Sequence, residues 1–300
     1  MSFSFNFALD GGVEASPAAA APSPSHPSAS APPGRNGERF TPSACPSSSP
    51  AAFSAVQVGD LSFHIVNTTD AGFLARTGAI SSILSSSDVQ TGVYEGGFKL
   101  WEGAVDLVRF VELQLRQDGA QMPSTVLELG CGHGLSGIHA LQRGAERVVF
   151  SDYNKEVLEL TTSPNVRRNV DDQLYGKAEF YAGAWSSMTD YMRNVEQLSE
   201  EQMQFDLILT AETIYTEAVA VELYQAIKRH LRRAPHVRAR TESSEPKPYG
   251  KSATAGLIFA RLCSSLMRPE RVSGQRTLNM DRTSSLTWQT SAAGIVWIPT

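Results

Sequence analysis

The stretch VLELGCGHGLSG, Val126 to Gly137, decides the fold. Thr125 to Leu129 (TVLEL) is a short apolar run of the kind that forms a buried strand, and Leu135 to Arg143 reads as a helix. Between them Glu128, Gly130, Gly132 and Gly134 fall at every second position. Gly130 and Gly132 permit unusual φ values and let a ligand approach the backbone, while Gly134 lets the helix start close to the strand. A glycine loop set between strand and helix carries a nucleoside or amino-acid moiety at the carboxyl end of a sheet.

Working outward, Arg147 to Phe150 reads as a second strand ending at Ser151-Asp152, with Asp152 24 residues after Glu128. A carboxylate there accepts hydrogen bonds from both ribose hydroxyls, or else caps the helix that begins near Lys155. That helix runs to Thr162, and Pro164 ends or kinks it. Ala178 to Tyr181 reads as a third strand and Phe205 to Thr210 (FDLILT) as a fourth, buried on both faces. Helices are expected over Leu100 to Leu115 and Glu217 to Leu231. Strands alternating with helices predict an α/β fold: a Rossmann-like, doubly wound, mostly parallel sheet with right-handed crossovers. A dinucleotide oxidoreductase shares this architecture, but its loop is G-x-G-x-x-G and leaves room for a pyrophosphate at the helix N-terminus. Here Glu128 precedes glycines at alternate positions; a buried carboxylate repels pyrophosphate but can hold an ammonium or structural amides. The pattern favours a sulfonium amino-acid cofactor, S-adenosyl-L-methionine, over NAD.

Two further segments supply candidate chemistry. FDLILTAETIY ends a buried strand in Thr210, Glu212, Thr213 and Tyr215, where reacting groups project in doubly wound sheets. Glu212 could hydrogen-bond a substrate N–H or accept a proton; alternatively it caps the next helix or pairs with an arginine. YEGGFKLWEGAVDL, Tyr94 to Leu107, sets two glycines before an amphipathic helix, with Trp101 and Glu102 at its start. Trp101 packs either against the cofactor or in the core.

The formal net charge is −5 and no long basic run exists, so purely electrostatic binding to nucleic acid or an anionic membrane is not expected. The basic cluster from Lys228 to Arg233 reads as a solvated helix end. Cys45, Cys131 and Cys263 lack metal-ligand spacing and suit a reducing compartment, cytoplasm or nucleus; no metal site is expected. Neither a membrane span nor a signal peptide is read. Residues 1–10 carry Phe3, Phe5 and Phe7 in strand-like alternation, and 11–54 read as a disordered Ala/Pro/Ser-rich linker. Residues 55–92 are a lead-in, with a strand or hairpin from Ala55 to Val66, a solvent-facing or core His64, and irregular chain from 67. The domain itself spans 93–231. In 232–300, Thr254 to Leu262 and Gly294 to Ile298 could be strands, and 267–292 read as loop.

In combination, SDVQTGVYEGGFKLWE, VLELGCGHGLSGI, SDYN, TSPNVRRN, FYAGAWS, DLILTAETIY and the opening MSFSFNF resemble the seven-strand protein-histidine methyltransferases that act on a large-subunit ribosomal protein. The resemblance covers about 140 contiguous residues plus the N-terminal tip. It implies S-adenosylmethionine contacts at Leu100, Trp101, Glu102, Gly103, Ala104, Gly130, Asp152, Tyr153, Asn154, Trp185 and Thr210, which with Glu128, Cys131 and Gly132 make the expected cofactor set. Glu212, Thr213 and Tyr215 are the expected catalytic set. The implied partner is a protein, and Trp185 would lie near the adenine. Arg233 to Ala253 lacks the Lys/Tyr/Phe/Gly-rich block that follows in that family, so the closing strands are expected to be weak. A lysine-directed relative, or an inactive docking module of the same fold, is the alternative reading.

Overall fold

The computed structural model describes residues 34–42, 52–84, 87–232, 256–260, 275–281, 284–291 and 294–297. Strand β1 (Glu38–Phe40), a hairpin of β2 (Phe53–Val58) and β3 (Leu61–Val66), and the single-turn helices α1 (Ala71–Leu74) and α2 (Ser81–Leu84) lead to α3 (Glu102–Asp118). Next come β4 (Thr125–Leu129), α4 (Leu135–Gln142), β5 (Arg147–Asp152), α5 (Lys155–Val157) and α6 (Ser163–Asn169). They are followed by α7 (Asp172–Tyr175), β6 (Ala178–Ala182), α8 (Trp185–Asn194), β7 (Leu207–Ala211) and α9 (Glu217–His230). Strands β8 (Gly256–Ala260), β9 (Gln275–Asp281), β10 (Ser284–Ser291) and β11 (Gly294–Trp297) complete the sheet.

The main sheet runs β1-β6-β5-β4-β7-β8-β11-β10-β9. The central five strands, β6 to β8, are parallel. Strand β11, last in the chain, inserts antiparallel between β8 and β10. From β6 to β10 this is a seven-strand order with one reversed strand. The chain steps from β4 outward to β5 and β6, then returns to the other side of β4 as β7. The crevice at the carboxyl ends of β4 and β7 is therefore the topological switch point, where doubly wound sheets hold ligands.

The two-residue period of the strands sorts their side chains into two cores. Val126, Val148, Phe150, Phe180, Leu207 and Leu209 pack with Leu107, Val111, Ile138 and Val166 from the helices of one face and with Phe63 of the hairpin. Leu127, Leu129, Val149, Tyr181 and Ile208 pack with Met188, Met192, Leu223 and Ile227 of α8 and α9 on the other. Each such fully buried apolar side chain stabilises by about 1.5–3 kcal/mol. These layers fix the carboxyl ends of β4, β5 and β7 rigidly, which is what a binding loop needs.

Four sequence expectations change. The span read as a linker contains β1, which pairs antiparallel with β6 from Glu38 opposite Ala182 to Phe40 opposite Phe180. The remainder of that linker, and the Phe-rich tip, lie largely outside the described residues. Residues 267–292 hold β9 and β10, where loop was expected; their Ser, Thr and Gln content hides a pairing that runs from Asp281 opposite Ser284 to Gln275 opposite Gln289. The closing strands among the described residues are thus four, where at most two were expected. Finally, Pro164, expected to end or kink its helix, does not end it. Residues Leu158–Thr162 form a π-helical turn between α5 and α6, placing Pro164 in the first turn of α6, where its missing N–H costs little.

The hairpin from Ala55 to Val66 is present, and His64 faces solvent. The irregular lead-in from 67 carries α1, capped by Asp70, whose carboxylate accepts from the amides of Gly72 and Phe73. Among the described residues, no helix is long and apolar enough to cross a membrane.

Candidate cofactor and substrate site

The loop after β4 is left-handed at Gly130 (φ 65°), Gly132 (φ 48°) and Gly134 (φ 74°), a conformation that side chains with a Cβ resist. A Cβ on Gly130 would lie 2.4 Å from Thr213 Cγ2, so the loop after β7 rests directly on the glycine. The π turn braces the loop from behind: Thr162 Oγ1 donates to the Gly132 carbonyl at 2.6 Å. Cys131 is buried, its Sγ 3.7 Å from Thr162 Oγ1, and burial keeps its thiol protonated. It is a packing residue of the loop.

Asp152, at the end of β5, is buried beside this loop. Its Oδ2 accepts the Gly132 amide at 3.0 Å and its Oδ1 the Asn154 amide at 3.1 Å. Burial pushes its carboxyl up to about 6, with those amides opposing, so it is mostly ionised at neutral pH. Asn154 reaches across to the segment before α3, donating to the Val93 carbonyl at 2.9 Å and accepting the Glu95 amide at 3.0 Å. Tyr153 OH donates to the Gly92 carbonyl at 3.0 Å. Residues 92–97 are thereby strapped over the ends of β5 and β4. Tyr215 closes the other side, its hydroxyl donating to the Glu95 carboxylate, which also accepts the Gly92 amide at 2.6 Å. Burial raises the Glu95 carboxyl.

At the end of β7, Glu212 has φ 55°, left-handed for a residue with a Cβ. Such backbone strain costs of order 1–3 kcal/mol and persists where the surroundings impose it. The imposing contact is with α3: a Cβ on Gly103 would fall 2.8 Å from Glu212 Cγ and Oε1, so Gly103 makes room for that carboxylate against the first turn of the helix. A helix N-terminus favours a negative charge. Thr216, not Glu212, caps α9 by accepting the Val219 amide. Thr210 and Thr213 are joined hydroxyl to hydroxyl at 2.8 Å. Trp101 caps the start of α3 half-buried, its indole N–H donating to the Gly96 carbonyl at 3.0 Å, with the Lys99 ammonium 4.5 Å above the ring.

The structure thus brings Trp101, Gly103, Gly130, Gly132, Asp152, Tyr153, Asn154, Thr210, Glu212, Thr213 and Tyr215 to one end of the sheet. Glu128 takes the structural option: it is buried behind the loop, accepting the Gly137 amide at 2.9 Å, and so holds the first turn of α4 instead of facing a ligand. Leu100 packs on the core, Glu102 is exposed and Ala104 is half-buried. Trp185 is half-buried at the start of α8, against the core of the α8–α9 face.

The sequence reading passed over Glu95, Thr162 and a buried pair, His133 and Asn165. His133 Nε2 lies 3.0 Å from the Phe98 carbonyl, which can only accept, so that nitrogen carries the proton. Asn165 Nδ2 donates to the His133 carbonyl at 3.0 Å and lies 3.3 Å from its Nδ1, while Oδ1 accepts the Val66 amide at 2.7 Å. Burial pushes His133 down to about 4, so it stays neutral. The pair ties strap, glycine loop, α6 and hairpin together. A histidine inside GCGHG was the available signal.

A buried carboxylate, a left-handed glycine loop and a helix N-terminus at the switch point of this sheet define the fold class: the seven-stranded, doubly wound fold of S-adenosylmethionine-dependent methyltransferases. The residues present fit that cofactor, since Asp152 offers lone pairs to hydroxyls and Gly130 and Gly132 present bare backbone. The family follows from comparison. A family described as lysine methyltransferase matches residues 86–247, more than half of the chain, and the chain belongs to it. It is 39% identical over 150 residues to the histidine protein methyltransferase 1 homolog of Dictyostelium discoideum, covering 50% of this chain and 44% of that protein. It is 37% identical over 172 residues to the homolog of Bos taurus, with the same shares covered. A protein N-lysine methyltransferase of Mus musculus is 34% identical over 131 residues, 43% of this chain and 52% of that one. The chain therefore spans less than half the length of the first curated relatives it matches.

Proposed function

We propose that the protein transfers the methyl group of S-adenosylmethionine to a ring nitrogen of a histidine in a protein substrate. The observation that carries this reading is Glu212, held in a strained conformation against Gly103, with its neighbour Thr213 resting directly on Gly130. The names of the histidine-directed relatives support it. When bound, S-adenosylmethionine supplies an electrophilic methyl group on a sulfonium. The chain's share is to align the acceptor and exclude water, which is where most of the rate enhancement of such a displacement arises. An imidazole with a pKa of about 6.5 is largely neutral at physiological pH and needs no strong base. Glu212 accepts the N–H of the far ring nitrogen and stabilises the positive charge that develops on the ring. The Glu95–Tyr215 contact keeps the strap closed above it.

A lysine acceptor is the second reading, favoured by the description of the matching family. It has a different pH signature, because an ammonium with a pKa of about 10.4 must lose its proton first. The proposed substrate is a large-subunit ribosomal protein, met in the cytoplasm or nucleus. The test is incubation with labelled S-adenosylmethionine and ribosomal proteins, followed by mass spectrometry of the modified residue. Glu212→Gln should cost about 10²-fold or more in transfer rate. A near wild-type rate across pH removes Glu212 from the mechanism, and methyl-lysine in place of methyl-histidine overturns the substrate.

A further inference from the structure

We infer that Arg35, which lies outside the family-matched span and within the stretch that reads as linker, is a positioning residue of the cofactor site. It touches four residues on three separate pieces of chain. Its guanidinium forks between Glu156 Oε2 (2.9 Å) at the start of α5 and the Val93 carbonyl (3.2 Å) in the strap. Its amide donates to Tyr153 OH at 3.2 Å, and its carbonyl accepts the Ala184 amide at 3.1 Å. The guanidinium also sits 5.8 Å from the centre of the Tyr153 ring. Arg35 therefore joins the loop after β5, the turn after β6 and the strap, three walls around Asp152.

The backbone on either side is shaped for this crossing. Gly183 (φ 111°) lies so close to the chain that a Cβ there would stand 2.4 Å from the Asn36 carbonyl oxygen. A Cβ on Gly37 would stand 2.1 Å from the Ser187 carbonyl oxygen. Only two glycines let residues 35–37 lie flat on the β6–α8 turn. Just beyond, β1 joins the sheet edge. The segment is thus the outer wall of the site, and Arg35 is the residue whose side chain reaches inward to the strap. An ion pair this exposed contributes little to stability by itself. What it supplies is order in loops that a ligand would otherwise have to fix on binding, and that cost appears in affinity.

The inference rests on the S-adenosylmethionine reading of the site. Its test is calorimetric titration of the full chain with S-adenosylhomocysteine. Arg35→Ala should weaken binding about tenfold, and Arg35→Lys, which keeps the charge but loses the fork, should recover part of it. Arg39→Ala is the control: it removes ion pairs to Glu179 and Glu196 from the adjoining strand β1 but reaches no cofactor-side loop, so affinity should stay within about twofold. Should Arg35→Ala fail to fold, Glu156→Gln removes the charge of the outer anchor and should weaken binding in the same direction. Wild-type affinity in Arg35→Ala or in Glu156→Gln, or equal losses in the Arg35 and Arg39 variants, overturns the inference. Absence of binding by the wild-type protein overturns the cofactor reading and the inference with it.

Discussion

Glu128 is a carboxyl buried behind the glycine loop, and its burial makes stability depend on pH in a predictable sense. Desolvation pushes its pKa up to about 8 from an ordinary 4.5, with the Gly137 amide opposing. The folded protein therefore keeps a proton that the unfolded chain releases. For a raised carboxyl the stabilising term is fully present below the unfolded pKa and is lost as pH rises through the folded one. A gap of about 3.5 pH units corresponds to roughly 5 kcal/mol over the whole range, and about half of it falls between pH 6 and pH 8.5. Glu128→Gln keeps the shape and an acceptor for the Gly137 amide but cannot ionise. Relative to wild type it should gain about 2–3 kcal/mol between those two pH values, a shift in Tm of about 5–10 °C for a domain of this size. Subtracting one curve from the other cancels His133, His139 and His230, all of which burial lowers. The assay is chemical denaturation of both proteins at half-unit pH steps. Parallel curves would refute the reasoning and show that Glu128 is solvated or ionised in the folded protein.

Gly130→Ala adds a Cβ in a left-handed residue directly against Thr213, so S-adenosylhomocysteine affinity should fall at least about tenfold by calorimetry; retained affinity would mean that the ligand does not lie on this loop. Asn165→Ala leaves the Val66 amide without an acceptor and the His133 ring without its neighbour, and should lower stability by about 2–4 kcal/mol in denaturant unfolding. A loss below about 1 kcal/mol would show that solvent enters and replaces those bonds.

The centre of the sheet was legible because its strands are apolar runs buried on both faces, and TVLEL and FDLILT say so residue by residue. The glycine loop and Asp152 were legible through spacing, since a strand–loop–helix unit fixes where the next strand must end. Glu128 was ambiguous for a physical reason: ammonium and amide satisfy a carboxylate equally, and only the placement of α4 decides between them. Strand β1 was not legible, because three residues, ERF, form a strand only by borrowing the edge of β6. The π turn before Pro164 was equally hidden, since its purpose, aiming Thr162 at the Gly132 carbonyl, is a tertiary contact. The same holds for Glu95 and Arg35, whose partners lie about 60 to 150 positions away.

Strand β1 also has a consequence for biosynthesis. Residues 38–40 leave the ribosome some 140 residues ahead of their partners at 180–182. At translation rates of about 5–20 residues per second, that is a wait of roughly seven to thirty seconds. Through this interval β5 and its loop can form but the outer wall cannot close. Ligand-binding competence should therefore appear abruptly in nascent chains, once the turn after β6 and then the loop after β7 have emerged, and not gradually as the glycine loop and Asp152 become available.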